Sequence, residues 1–85
     1  MGLRKNNGID LEREYAISLD DLRKVLKNRY RIQRSRTALW KWARFGRVRR
    51  HDNAKVYLDY TVVGGVLMTS VEAFHRMNAD LTREE

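Results

Sequence analysis

The 85-residue chain contains no cysteine and no proline. Without cysteine there is no disulfide framework and no thiolate metal site, and a reducing, cytoplasmic setting is the expectation. Long apolar runs are missing as well. The longest uncharged stretch, Tyr60 to Val71, is 12 residues, short of the roughly 20 that a spanning helix needs. Leu3-Arg4-Lys5-Asn6-Asn7-Gly8 never develops the apolar core of a secretory signal. Met1-Gly2 does not open a myristoylation motif, because position 6 is Asn rather than Ser or Thr. No membrane partner is expected. The length allows one small domain, burying ~60–65% of its unfolded surface and leaving few residues to spare for an active site.

Acidic residues are missing from one long segment. Between Leu22 and His51 there is no carboxylate, while 12 of the 18 Lys and Arg residues lie there. The flanks are mildly acidic, so the formal charge of +7 is what remains of a strongly cationic centre. Solubility favours mixed signs, and unrelieved like charges repel. A solvated helix face explains ordinary charge runs. One this long and this pure points to an anionic partner.

Metal and catalytic signals are thin. His51 and His75 are far apart in the chain and outside any metal-ligand spacing. Asp20 and Asp21 serve a helix start better than acid–base chemistry. Gly64-Gly65 sits between strands, not before a helix where a phosphate-binding loop would end. Neither an enzyme nor a cofactor nor a metal is expected.

The periodicity then orders the chain. Residues 1–16, with Gly2, Gly8 and Asn6-Asn7, lack a period and are expected to form a flexible arm. Ser18-Leu19-Asp20-Asp21 has capping-box spacing, and Leu19, Leu22, Val25 and Leu26 predict a helix from about Leu19 to Lys27. Asn28 to Arg34 reads as a basic connection. Ser35 is a second helix-start signal and Gly46 a stop. Between them Ala38, Leu39, Trp42 and Ala43 form the packing stripe, while Arg36, Thr37, Trp40, Lys41 and Arg44 fall largely opposite. Val56, Leu58, Tyr60 and Val62 alternate as in a strand. Gly64-Gly65 suits a two-residue hairpin turn, and Val66-Leu67-Met68 is the return strand. Thr69-Ser70-Val71-Glu72 repeats the capping-box spacing before a last helix that buries Val71, Phe74, Met77 and Leu81. The domain spans 17–82, and 83–85 read as a tail.

Helix, turn, helix with one basic face, then a hairpin, is the layout of a winged helix-turn-helix DNA reader. The residues themselves resemble the excisionase-like and MerR-like winged-helix family. Ile17-Ser18-Leu19-Asp20-Asp21-Leu22 is similar to the opening of those domains. Ser35-Arg36-Thr37-Ala38-Leu39-Trp40-Lys41-Trp42-Ala43-Arg44-Phe45-Gly46-Arg47-Val48 is similar to their recognition helix. Val63-Gly64-Gly65-Val66-Leu67-Met68-Thr69-Ser70-Val71-Glu72-Ala73-Phe74 is similar to their wing and closing helix. The resemblance covers about Ile17 to Leu81. It implies a mostly α, α+β fold and a protein that binds and bends double-stranded DNA to assist an integrase in excision, acting in the cytoplasm on the nucleoid. Three departures stand out. The connection Asn28–Arg34 is longer and more basic than the family's turn. Val66 replaces an Arg common after the Gly-Gly. His51-Asp52-Asn53-Ala54-Lys55 lengthens the link into the wing, and this loop or the wing tip could touch the DNA backbone.

Arg36, Thr37, Lys41 and Arg44 are the candidates for reading base edges, because Arg takes guanine O6 and N7 in a bidentate contact and Thr meets a thymine methyl or a phosphate. Ser35 is both a helix cap and a possible phosphate ligand. Arg47, Arg49 and Arg50 are expected to position the DNA backbone, and Arg34 and Lys55 complete the set. Trp40 can cover the basic connection, pack on the wing, or stack on sugar and phosphate, with packing preferred; Trp42 is assigned to the core. Self-association on adjacent DNA sites is expected in place of a stable free dimer, since no heptad or extended apolar face is present. A transcriptional regulator of the same fold, an RNA or single-strand binder exploiting Tyr30 between Arg29 and Arg31, and a basic adaptor for an acidic protein remain open alternatives.

Overall fold

Ser18 starts the first helix as its spacing predicts. In the computed structural model, which describes residues 8–50 and 52–82, its Oγ accepts the Asp21 N–H at 3.1 Å. Asp20 and Asp21 occupy the first turn, where carboxylates complement the helix dipole. The helix α1 runs Leu19–Tyr30, three residues beyond the expected end at Lys27. Leu22 and Leu26 are fully buried, and Tyr30, one turn further on, packs against the same core. Arg31 then takes a left-handed conformation, φ 59°, and the Ile32 N–H donates to the Leu26 carbonyl at 2.9 Å. That turn folds Ile32 back against the core. The connection expected over Asn28–Arg34 is therefore shorter, Arg31 to Ser35.

Ser35 caps α2, Arg36–Arg44, by accepting the Ala38 N–H at 3.1 Å. Leu39 and Ala43 are its buried residues, and Trp42 packs at the core's edge, as the stripe predicts. The helix stops where Phe45 and Gly46 N–H both donate to the Lys41 carbonyl, at 2.7 and 3.1 Å. Gly46 has φ +82°, and a Cβ there would meet the Tyr57 ring at 3.2 Å. Only glycine fits this stop without strain.

Beyond Gly46 the chain departs from the single hairpin that its alternation predicts. A first ribbon pairs β2, Arg47–Val48, with β3, Lys55–Val56, antiparallel. The run Val56 to Val63 is not one strand. Residues 57–60 leave the ladder, with the Leu58 N–H donating to the Trp42 carbonyl at 3.1 Å, and Leu58 is fully buried. Asp59 is buried too, held by the Arg76 guanidinium at 3.2 Å. Pairing resumes in β4, Thr61–Val63, and β5, Val66–Thr69, in register Thr61↔Met68, Val62↔Leu67 and Val63↔Val66. Gly64 and Gly65, φ +59° and +81°, supply the two positive-φ positions that a type I′ turn requires. A short segment before α1, β1 (Ile17–Ser18), pairs with the other edge of β5, giving the order β1-β5-β4.

The last helix, α3, Val71–Thr82, is capped one residue later than the Thr69 spacing predicts. Thr69 closes β5 and donates its hydroxyl to the Asp59 carbonyl at 2.8 Å. Ser70 Oγ accepts the Ala73 N–H at 2.9 Å. Phe74 and Met77 are buried as expected, Ala73 joins them, and Val71 and Leu81 are half-buried. The core gathers all three helices with Val56 and Leu58. Fully burying such a leucine contributes about 1.5–3 kcal/mol. The architecture is a small α+β fold of three helices and short antiparallel strands. No helix among the described residues is long and apolar enough to cross a membrane.

The arm expected over 1–16 is anchored in its described part. Ile9 packs against the core, Asp10 to Glu14 form a hydrogen-bonded turn, and Glu14 reaches Ser70 and Arg76 at 2.6 and 3.2 Å. Residues 1–7, the tail 83–85 and His51 lie outside the described residues.

Candidate nucleic-acid interface

The packing of Leu39 and Ala43 inward leaves Arg36, Thr37, Trp40, Lys41 and Arg44 exposed on α2. Arg36, Trp40 and Arg44 follow one another at i, i+4 and i+8, and Thr37 and Lys41 form the neighbouring row. The Trp40 ring lies edge-on to Phe45 at 5.5 Å, and the Arg44 guanidinium sits 5.6 Å from its centroid. Trp40 therefore packs on its own helix end, partly exposed, and holds Arg44 over its face. Arg47 lies on β2 with its guanidinium 5.1 Å from the centroid of Trp42. Cation–π contacts of this kind hold a guanidinium without neutralising it.

The start of α2 is electrostatically reversed relative to α1. Its first turn contains no acidic residue, and Arg34 and Arg36 flank the end where the helix dipole is already positive. Cations at that end cost about 0.3–1 kcal/mol, and a bound anion reverses the sign. An open cleft of about 380 Å³ lies there, lined by Arg23, Lys27, Gln33, Arg34 and Ser35. Arg23 and Lys27 are absent from the sequence-derived set. The signal was present in their i, i+4 spacing within the acid-free segment. What the spacing lacked was the turn at Arg31, which brings this side of α1 to the start of α2. Arg23 is shared with Asp20, at 3.1 Å. Arg34 is braced by its own chain, donating to the Gln33 carbonyl at 2.8 Å.

Three of the remaining expected residues, Arg47, Arg50 and Lys55, are exposed on the β2–β3 ribbon and its loop. Arg49 is not. Its side chain is 17% exposed and donates to Asp52 at 2.6 Å and to the Asp80 carbonyl at 3.1 Å. It ties the ribbon to α3, so it leaves the candidate set. The Asp52 carboxylate also accepts the Ala54 N–H at 3.0 Å, and Asn53, φ 60°, turns the loop. This loop is internally braced.

Tyr30 and His75 join α1 to α3, with the phenol and imidazole Nε2 3.0 Å apart and the rings edge-on at 5.4 Å. Tyr30 is thereby tied to α3 through a contact at the surface. A separate ionic cluster joins Glu14, Asp59, Ser70 and Arg76. Burial pushes the Glu14 carboxyl upward, but hydrogen bonds from the Asp10 N–H, Ser70 and Arg76, with the Arg76 charge, outweigh it and hold the group below the usual carboxylate range. The same balance raises Arg76: burial opposes its charge, and Glu14 and Asp59 overcome that. The carboxylates of this cluster are thus committed to one another's partner and lie on elements other than α2.

No protein-family model, curated protein or solved structure matches the chain.

Proposed function

We propose that the protein is a winged helix-turn-helix module that binds double-stranded DNA, with α2 as the groove-reading helix and the β4–β5 hairpin as the wing. The observation that carries this reading is the reversed start of α2: Arg34 and Arg36 beside a positive helix end, opening onto a cleft lined by Arg23 and Lys27. Such an arrangement is unfavourable alone and favourable around a phosphate. The exposed rows of α2 then supply Arg36, Thr37, Lys41 and Arg44 to base edges, with Trp40 setting the direction of Arg44. Arg47, Arg50 and Lys55 contact backbone phosphates and fix register. The order α1, turn, α2, β2–β3 ribbon, β4–β5 hairpin, α3 keeps a hairpin between the second and third helices, which supports the winged assignment.

The resemblance to excisionase-like domains extends the reading to a recombination directionality factor that binds adjacent sites and helps an integrase excise a mobile element. Selection of bound duplexes from a random-sequence library tests the core of this reading. A shared motif should be enriched by the unmodified protein and blurred by Arg36→Ala or Arg44→Ala. Enrichment of no motif would reduce the protein to an electrostatic binder. Footprints on the element's ends would support excision, and footprints over a promoter would favour a transcriptional regulator.

A further inference from the structure

The β4–β5 hairpin is chemically unlike the rest of the surface. Val62, Val63 and Val66 are 59%, 46% and 52% exposed, although solvent-facing positions of an antiparallel ribbon are ordinarily polar. No charged residue occurs from Tyr60 to Val71. Among the described residues β4 is an edge strand, paired with β5 alone. Natural edges are usually protected by Lys, Pro or a bulge; this one has neither of the two residues.

We propose that β4 docks against β4 of a second copy of this chain, antiparallel about Val62, when two copies lie side by side on one duplex. Three observations select that occupant. Each copy carries +7, so copies repel wherever their cationic segments meet, and the uncharged hairpin escapes this. An antiparallel pair of identical strands is self-complementary: Val62 faces Val62, and Thr61 faces Val63, with no buried charge. The area is also telling. Two half-exposed valines on a three-residue strand, with Val66 beside them on β5, fall far below the roughly 800 Å² per partner of a stable interface. Pairing therefore needs the high effective concentration that a shared duplex provides. The inference rests on the duplex-binding reading and adds to it a coupling between neighbouring copies.

The absence of native cysteine makes the test clean, since Val62→Cys introduces the only thiol. Directly opposed residues of an antiparallel pair lie at Cα separations that a disulfide spans. The longest dimension of the molecule, 34 Å, covers about one turn of duplex, so ~12 base pairs hold one copy and ~36 hold several. With diamide as oxidant, Val62→Cys should form a disulfide-linked dimer on the long duplex and none on the short one. Ala79→Cys, exposed on α3, should form none on either. Val62→Lys should abolish cooperative filling of the long duplex, because a cation on each facing strand repels the other across the pair.

Equal cross-linking by Val62→Cys and Ala79→Cys would show crowding and overturn the proposal. So would long-duplex binding without a Val62→Cys dimer, and in both cases duplex binding itself would stand. A Val62→Cys thiol shielded from maleimide in the free monomer would assign the strand to another segment of the same chain, overturning the second-copy assignment. Failure to bind the short duplex at all would remove the duplex reading and this inference with it.

Discussion

Arg44 and Arg49 belong to one cationic run and have opposite fates. Arg44 lies over the exposed Trp40 ring, while Arg49 is drawn between Asp52 and the Asp80 carbonyl. Arg44→Ala and Arg36→Ala should each cost about 1–3 kcal/mol of discrimination between preferred and altered sites in competition binding. Arg49→Ala should leave the site preference intact and lower the melting temperature. Half of this distinction was legible. Asp52 follows Arg49 by three residues, but the Asp80 carbonyl comes from a helix that no local pattern places there. Glu14 makes the same point for the arm: nothing in residues 8–16 has a period, yet Glu14 meets Ser70 and Arg76. Its lowered pKa means that its contribution is present above the ordinary carboxylate value near 4.3 and is lost as pH falls through the lower native value. Glu14→Gln should cost roughly 1–3 kcal/mol at pH 7. Urea titrations of variant and parent should converge as the pH drops below about 4.

At the scale of elements, what carries a chemical marker could be read and what lacks one could not. Ser18, Ser35 and the Gly64-Gly65 pair each mark a boundary through a specific hydrogen bond or dihedral angle, and each boundary lies where it is expected. The helix α1 continues past its expected end because the Leu22, Leu26, Tyr30 spacing runs on beneath the polar Asn28 and Arg29. Strands of two residues, β1, β2 and β3, are too short to show alternation, and their pairing depends on distant partners. Buried Asp59 breaks the expected long strand because Arg76 of α3 claims it. The two kinds of turn glycine should respond differently to substitution. Gly46→Ala should cost about 1–2 kcal/mol from its left-handed backbone, with the close Tyr57 ring adding to it. Gly64→Asn, where a Cβ meets nothing within 4 Å, should change the unfolding free energy by less than about 0.5 kcal/mol, since Asn tolerates this turn position.

For the whole molecule, the net charge of +7 is less informative than its partition. Acidic groups are drawn into pairs within the fold, at Glu14 and Asp59 with Arg76 and at Asp52 with Arg49, whereas the cations of α2 and its approach have no carboxylate in their own segment. The segment was legible in the sequence; its cleft was not, because that required the turn at Arg31. We propose that this surface binds duplex phosphate, and the affinity for a duplex and for a single strand of the same length, each measured across a salt series, tests it. If the protein neutralises about six phosphates, log K falls with log salt at a slope near −5, so duplex affinity drops about 10³-fold between 50 and 200 mM salt. The duplex should also be bound more tightly than the single strand at every salt concentration. Equal affinity for the two, or a duplex affinity indifferent to salt, would contradict the account.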